Sequence, residues 1–198
     1  MCRVLWCFDK DDKKVFADRL GAQMTQFRSQ LRAALTGCYK YGDFELSSGK
    51  RANDYYDLAP LFLSPNGLRM TSHEVMSTLG EVEFDAFGCL ELCPVPLVGA
   101  ILSRTFTDKR GFIVRKERKG HGTNRLIEGD LRPNDKVVIL EDVTSTGCSV
   151  MKAIRVVEEL GCSVACILAV INRQEGCNEL LKDYDFRSLF VKEELEIG

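Results

Sequence analysis

No apolar run in the 198 residues approaches the roughly 18 needed to cross a bilayer. The apolar start, Met1 to Phe8, is too short for the hydrophobic part of a signal peptide. A charged cluster, Asp9 to Lys14, follows it with no small-residue cleavage pattern. Neither a membrane span nor a cleaved leader is expected, and the chain reads as cytoplasmic. A dominant charge is missing too: the formal net charge of −2 gives no general support to a nucleic-acid or membrane-surface role. There is no Gly-x-x-x-x-Gly-Lys-Ser/Thr run, which argues against a nucleoside-triphosphate P-loop. Histidine is scarce, with two residues, and none of the nine cysteines forms a Cys-x-x-Cys pair. A zinc site is therefore not expected, and the cysteines read as small buried fillers in a reducing compartment. Repeats, low-complexity segments and linkers are also absent, so the length predicts one domain, residues 1–198, with no second catalytic domain.

What is present is a regular alternation. Apolar residues at Val15, Phe16, Leu20, Met24, Phe27, Leu31 and Leu35 predict an amphipathic helix over Asp12 to Leu35, stopped by Gly37. Gly42 to Gly49 reads as a short strand and turn, and Tyr55 and Tyr56 sit in a second extended piece. Ser64-Pro65-Asn66-Gly67 reads as a turn, with a helix over about Ser72 to Leu79. Strands are expected at Glu83 to Phe87, Gly111 to Arg115, Lys136 to Leu140 and Ser163 to Ile171. Helices are expected at Pro96 to Phe106 and around Val150, Ile154, Val157 and Leu160, closed by Gly161. Strands that are apolar throughout and separated by helices predict a parallel α/β sheet covered on both faces.

Two segments carry chemistry. The strand Val137 to Leu140 runs into Glu141-Asp142-Val143-Thr144-Ser145-Thr146-Gly147-Cys148-Ser149, where a hydroxyl-rich turn opens a helix. Backbone N–H groups and the positive helix end suit a phosphate, and the two acids suit ribose hydroxyls or a hard cation. Cys148 reads as a small filler at the helix start. The second segment is the polar loop Lys116 to Asn124, with Arg115, Lys116, Arg118, Lys119, His121 and Arg125 opposed by Glu117. Gly120 and Gly122 would let it close over a ligand, and its cations could neutralise a polyphosphate leaving group. It carries no interleaved aromatic residue for stacking on nucleic acid. Gly120-His121-Gly122 is no dinucleotide fingerprint, because Arg125 stands where the third glycine belongs.

Together these segments resemble the orotate phosphoribosyltransferases, type I phosphoribosyltransferases of pyrimidine synthesis. Arg115-Lys116-Glu117-Arg118-Lys119-Gly120-His121-Gly122 resembles the loop specific to the orotate branch. Glu141 to Ser149 resembles the signature for 5-phosphoribosyl 1-pyrophosphate (PRPP). Gly42 to Asp57 resembles an N-terminal hood segment, and Asn172-Arg173-Gln174-Glu175 a family motif after the following strand. The resemblance implies a central mostly parallel sheet flanked by helices (about 70–198) with a small hood (about 1–60). It implies transfer of the phosphoribosyl group of PRPP to orotate with Mg²⁺. By position, Thr144 to Ser149 would cradle the 5′-phosphate, next to Val143. Glu141 and Asp142 would contact the ribose hydroxyls, with Mg²⁺ carried by PRPP near them rather than held by a dedicated ligand set. Arg115, Lys116, Lys119 and His121 would hold pyrophosphate, and Lys119 and His121 would reach across a homodimer. Ser145, Arg173, Tyr55 and Tyr56 would border orotate. Lys119, His121 and Asp142 are the expected catalytic participants. No nucleic-acid or membrane partner is implied.

The chemistry fits these residue types independently. Breaking the C1′–pyrophosphate bond leaves positive charge on the ribose and negative charge on the leaving group, which cations stabilise. A water-excluding lid protects the oxocarbenium-like sugar. The chain also departs from the family pattern. Cys89-Leu90-Glu91-Leu92-Cys93-Pro94-Val95-Pro96 replaces a glycine-rich, sometimes lysine-bearing segment. Ser47 stands where some members carry lysine, and Glu141 and Asn172 where aspartate is common. A PRPP-sensing homologue without catalysis and a transferase for another base are the alternatives at this level.

Overall fold

A computed structural model describes residues 26–45, 51–104, 109–117 and 126–195. The described part of the first helix, α1, covers residues 26–37; the expected stretch before it lies outside the described residues. Leu31 and Leu35, four apart on one stripe, are fully buried. The polar side of α1 is tied to the C-terminal segment. Arg28 Nη2 donates to the Leu189 carbonyl at 2.8 Å and Arg32 Nε to the Glu194 carbonyl at 2.6 Å.

A two-stranded antiparallel hood follows, β1 (Tyr39–Glu45) paired with β2 (Arg51–Tyr56), with a bulge between Tyr41 and Phe44. Residues 46–49 of the expected turn lie outside the described residues. Two helices come next, α2 (Ala59–Phe62) and α3 (Pro65–Leu79). The segment read as a turn, Ser64 to Gly67, is instead the start of α3, well before the expected Ser72. The Ser64 hydroxyl accepts from Gly67 N at 3.1 Å, and Pro65 takes the first helical position, where its missing N–H costs nothing.

The main sheet has six strands in the order β5-β4-β3-β6-β7-β8. These are β3 (Ala86–Leu90), β4 (Arg110–Val114), β5 (Ile127–Gly129), β6 (Lys136–Thr144), β7 (Ser163–Asn172) and β8 (Phe186–Val191). All pairings are parallel except β4 with β5. Helix α4 (Val95–Arg104) joins α1 and α3 over one face, and α5 (Cys148–Glu159) covers the other. Two short helices, α6 (Cys177–Leu180) and α7 (Lys192–Leu195), follow β7 and β8. Val150, Ala153, Ile154 and Val157 of α5 are buried, whereas Leu160 lies beyond the helix and is 38% exposed.

Boundaries shift from the expected ones, and two strands, β5 and β8, were not expected. β3 begins at Ala86 rather than Glu83. β6 does not end at Leu140 but continues to Thr144, because Glu141 to Thr144 still pair with β7. The strands β5 and β8 carry no continuous apolar run, β5 being three residues long and β8 half-exposed at its start.

The chain order places the site. From β3 the chain moves outward to β4, then returns to put β6 on the other side of β3. Connections on the two sides leave in opposite directions, and a crevice opens outside the carboxyl ends of β3 and β6.

Candidate active site

A cleft of about 940 Å³ occupies that crevice. Its walls are the loop after β3, the end of β6 with the start of α5, the hood, and the segment after β7. Of the expected site residues, Tyr55, Tyr56, Lys116, Arg173 and all of Glu141 to Ser149 line it.

One end of the cleft is built by the turn between β6 and α5. Gly147 caps α5 with φ +81°, a left-handed backbone that turns the chain sharply into the helix. The first intrahelical bond runs from Met151 N to the Gly147 carbonyl at 2.9 Å. The amides of Cys148, Ser149 and Val150 precede it and have no carbonyl partner within the helix. Twelve residues of aligned dipole stand behind them. The turn is braced from below: Arg173 N donates to the Thr144 carbonyl at 2.8 Å and Cys177 N to the Ser145 carbonyl at 3.2 Å. Asn172 completes the brace. Its Oδ1 accepts from Gln174 N at 2.7 Å and its Nδ2 donates to Asn178 at 3.0 Å. An aspartate could not make the second bond. Cys148 is exposed rather than a buried filler, because the αL turn at Gly147 directs its position into the cleft wall.

The acid pair is electrostatically strained. Glu141 is 8% exposed, and its Oε2 is buried with no hydrogen-bond partner. Burial pushes its carboxyl well above the ordinary value, the Asp142 charge adds to this, and Lys116 opposes it. Asp142 Oδ1 accepts from its neighbour Val143 N at 2.8 Å. The negative end also acts on nearby thiols. Burial, then the Glu141 and Asp142 charges, push the Cys89 thiol up to about 12. Burial and Asp142 likewise raise Cys93, so both thiols stay protonated at neutral pH. Glu141 also lines the cleft, so a cation or a hydroxyl donor held there would stand next to a carboxyl whose buried oxygen lacks a partner. Among the described residues, no group of three or more His, Cys, Asp or Glu side chains gathers to form a metal cage.

The loop after β3 contains the family departure. Glu91 N donates to the Val114 carbonyl at 2.9 Å, and Glu91 Oε1 accepts from Lys116 N at 2.8 Å. The loop is thereby pinned to the start of the basic segment. Leu92 is 76% exposed, and the peptide Glu91–Leu92 is cis.

The cations divide. Lys116 lines the main cleft and an adjoining groove, whereas Arg115 lines the groove alone. Arg115 Nη1 lies 3.6 Å from Glu128, which draws it away from the cleft. Lys119 and His121 lie outside the described residues.

The hood side is aromatic. Tyr55 is 41% exposed with its ring 5.5 Å from that of Phe44, while Tyr56 is 3% exposed and packs edge-on against Tyr39. Arg173 is inserted beneath them. Its Nη2 lies 2.5 Å from Asp54 and its Nε 2.8 Å from Glu175, while its Nη1 has a long contact, 3.4 Å to the Asp54 carbonyl. Phe44, Leu63 and Asp54 were not singled out from the sequence. The alternation in β2 could have placed Asp54 on the face of Tyr56, but Lys192 and Arg173 come from far along the chain.

The chain is similar to the orotate phosphoribosyltransferase of Pyrococcus abyssi. Identity is 39% over 155 residues, covering 77% of this chain and 84% of the relative. With the protein of the same name from Archaeoglobus fulgidus, identity is 42% over 140 residues, covering 71% of this chain and 78% of the relative. The solved orotate phosphoribosyltransferase of Aeropyrum pernix superimposes with a TM-score of 0.70 at 29% identity, covering 83% of this chain and 95% of that one. No family model matches the chain.

Proposed function

The chain belongs to the orotate phosphoribosyltransferase family, and we propose that the Glu141–Ser149 end of its cleft holds the ribose 5-phosphate of PRPP while the hood side holds orotate. It transfers the 5-phosphoribosyl group from PRPP to orotate, giving orotidine 5′-monophosphate and pyrophosphate in pyrimidine biosynthesis. It does so on a type I phosphoribosyltransferase fold. The observation that carries the site assignment is convergence: the α5 amide turn, the acid pair and the Arg173–aromatic wall share one cleft.

In this reading the amides of residues 144–149 bind the 5-phosphate, and Glu141 and Asp142 take the ribose hydroxyls. The Glu141 Oε2 that lacks a partner gains one when a hydroxyl arrives. The same two acids fit an Mg²⁺ ion brought in with PRPP, since hard cations prefer carboxylate and hydroxyl oxygens. That ion would neutralise charge on the departing pyrophosphate. Arg173 and the exposed Tyr55 ring orient the planar anion orotate, with the loosely held Nη1 as the donor to its carboxylate. As the C1′–oxygen bond breaks, its electron pair leaves with pyrophosphate, N1 of orotate supplies the new pair to C1′, and the proton that N1 loses passes to the departing pyrophosphate. Lys116, which lines the cleft, approaches the leaving group, while Arg115 stands in the adjoining groove beside Glu128. Lys119 and His121 complete the charge neutralisation from the partner of a homodimer, and Asp142 serves the reacting end of the ribose.

Among the described residues no helix is long and apolar enough to cross a membrane. The described cysteines are all free thiols, which suits a reducing compartment, and we assign the protein to the cytoplasm. The whole reading is tested by mixing purified protein with orotate, PRPP and Mg²⁺ and following orotate absorbance. Loss of the signal, abolished by Asp142→Asn, is expected. A ligand-bound crystal with the 144–149 turn empty would overturn the site assignment.

A further inference from the structure

The buried face of β2 carries a charge. Asp54 and Tyr56 alternate onto that face and are 7% and 3% exposed. A buried carboxylate is unfavourable unless paired, and Asp54 is paired twice from remote parts of the chain. Its Oδ1 takes Arg173 Nη2 at 2.5 Å, and its Oδ2 takes Lys192 Nζ at 2.6 Å. Burial pushes the Asp54 carboxyl up, but the bonds and charges of Lys192 and Arg173 outweigh this and hold it below its ordinary value. It is therefore ionised at neutral pH.

Asp54 also limits what Arg173 can do. The Arg173 side chain is 6% exposed, against 42% for the Glu175 carboxylate on its other side. Its backbone N–H is bonded to the Thr144 carbonyl of the phosphate turn. The guanidinium is thus held by the hood on one edge and rooted in the phosphate turn at its base. A long side chain held in this way loses little further freedom when it binds a carboxylate. Arg173 alone could take many rotamers.

We propose that Asp54 is a positioning residue for the transfer: it fixes the Arg173 guanidinium so that the Nη1 edge meets the carboxylate of the acceptor base. This rests on the reading of Arg173 as the orotate contact. Because Asp54 belongs to the hood and Arg173 to the core, the pair also sets the distance between the orotate and PRPP halves of the cleft. Lys192 balances the second oxygen, which leaves Asp54 bound to both cations rather than free to swing toward the substrate.

Steady-state kinetics on Asp54→Asn, Asp54→Glu and Arg173→Lys separate the outcomes. Asp54→Asn is expected to raise the orotate KM about tenfold, as loss of a charge-assisted contact does, with the PRPP KM within about twofold of wild type. Asp54→Glu keeps the charge, moves it by one methylene and recovers part of the loss. A structural role alone would lower the melting temperature and move both KM values together, and that result would overturn the proposal. An unchanged orotate KM in folded Asp54→Asn would overturn it as well. Should Asp54→Asn not fold, the orotate-to-PRPP KM ratio of Asp54→Glu decides: a ratio equal to wild type refutes the positioning role. An unchanged orotate KM in Arg173→Lys sinks the underlying assignment of Arg173 instead.

Discussion

Replacing Glu141 by glutamine should stabilise the ligand-free protein and weaken its hold on PRPP. The buried Oε2 has no partner, and Asp142 adds like charge beside it. Leaving a buried polar group unsatisfied costs about 1–3 kcal/mol, and more when it is charged. Glutamine keeps the shape and removes the charge, so a gain of about 1–2 kcal/mol is expected for the empty site. For a chain of this size each kcal/mol raises Tm by about 2–4 °C. The gain depends on pH with a definite sign. The folded value of Glu141 lies above the ordinary 4.5, so its favourable contribution is complete below the unfolded value and is lost as pH rises toward the folded one. Wild type and variant should melt alike in acid and separate as pH climbs above 4.5. Thermal melts across that range, with and without PRPP, make the measurement. PRPP should raise Tm less in the variant, since the stabilisation a ligand gives grows with the logarithm of its affinity for the folded state. A variant that melts at or below wild type at every pH, or a gap that ignores pH, would refute the reasoning.

Three further outcomes are expected. Gly147→Ala forces a side chain onto φ +81° with its Cβ 3.3 Å from Leu180. It should cost about 1–2 kcal/mol and raise the PRPP KM, both readable from melts and initial rates. Ser64→Ala removes the cap on α3 and should lower stability by about 1 kcal/mol in urea titration, without touching the cleft. Lys119→Ala should lose about a hundredfold in turnover with an unchanged circular dichroism spectrum. Mixing it with Asp142→Asn should restore activity through hybrid dimers, whereas no recovery after subunit exchange would show that the loop serves its own subunit.

How much of this was legible depended on the range of the forces involved. The strands β6 and β7 were visible because parallel strands covered on both faces must be apolar throughout, and Val137 to Leu140 and Cys166 to Ile171 are fully buried. The turn between β6 and α5 was visible because its conformation is local: Gly147 adopts the left-handed backbone, and the helix follows at once. The start of α3 was misread for a related reason. Ser-Pro-Asn-Gly satisfies a turn and a helix cap equally well, and the choice falls to the packing of Met70, Val75 and Leu79. The three-residue β5 and the half-exposed β8 exist through pairing with their neighbours and had no periodic signal of their own.

The residue order by itself determined the chemistry on offer: an amide-rich turn for phosphate, two adjacent acids, an aromatic pair and a cationic segment, each set by neighbours in sequence. Tertiary structure alone decided how they meet. It drew Arg115 toward Glu128, buried Glu141 with its Oε2 unpartnered and clamped Arg173 between Asp54 and Glu175. Those outcomes are Coulombic and solvation effects between groups as far as 119 residues apart, and they arise when the sheet brings strand ends together.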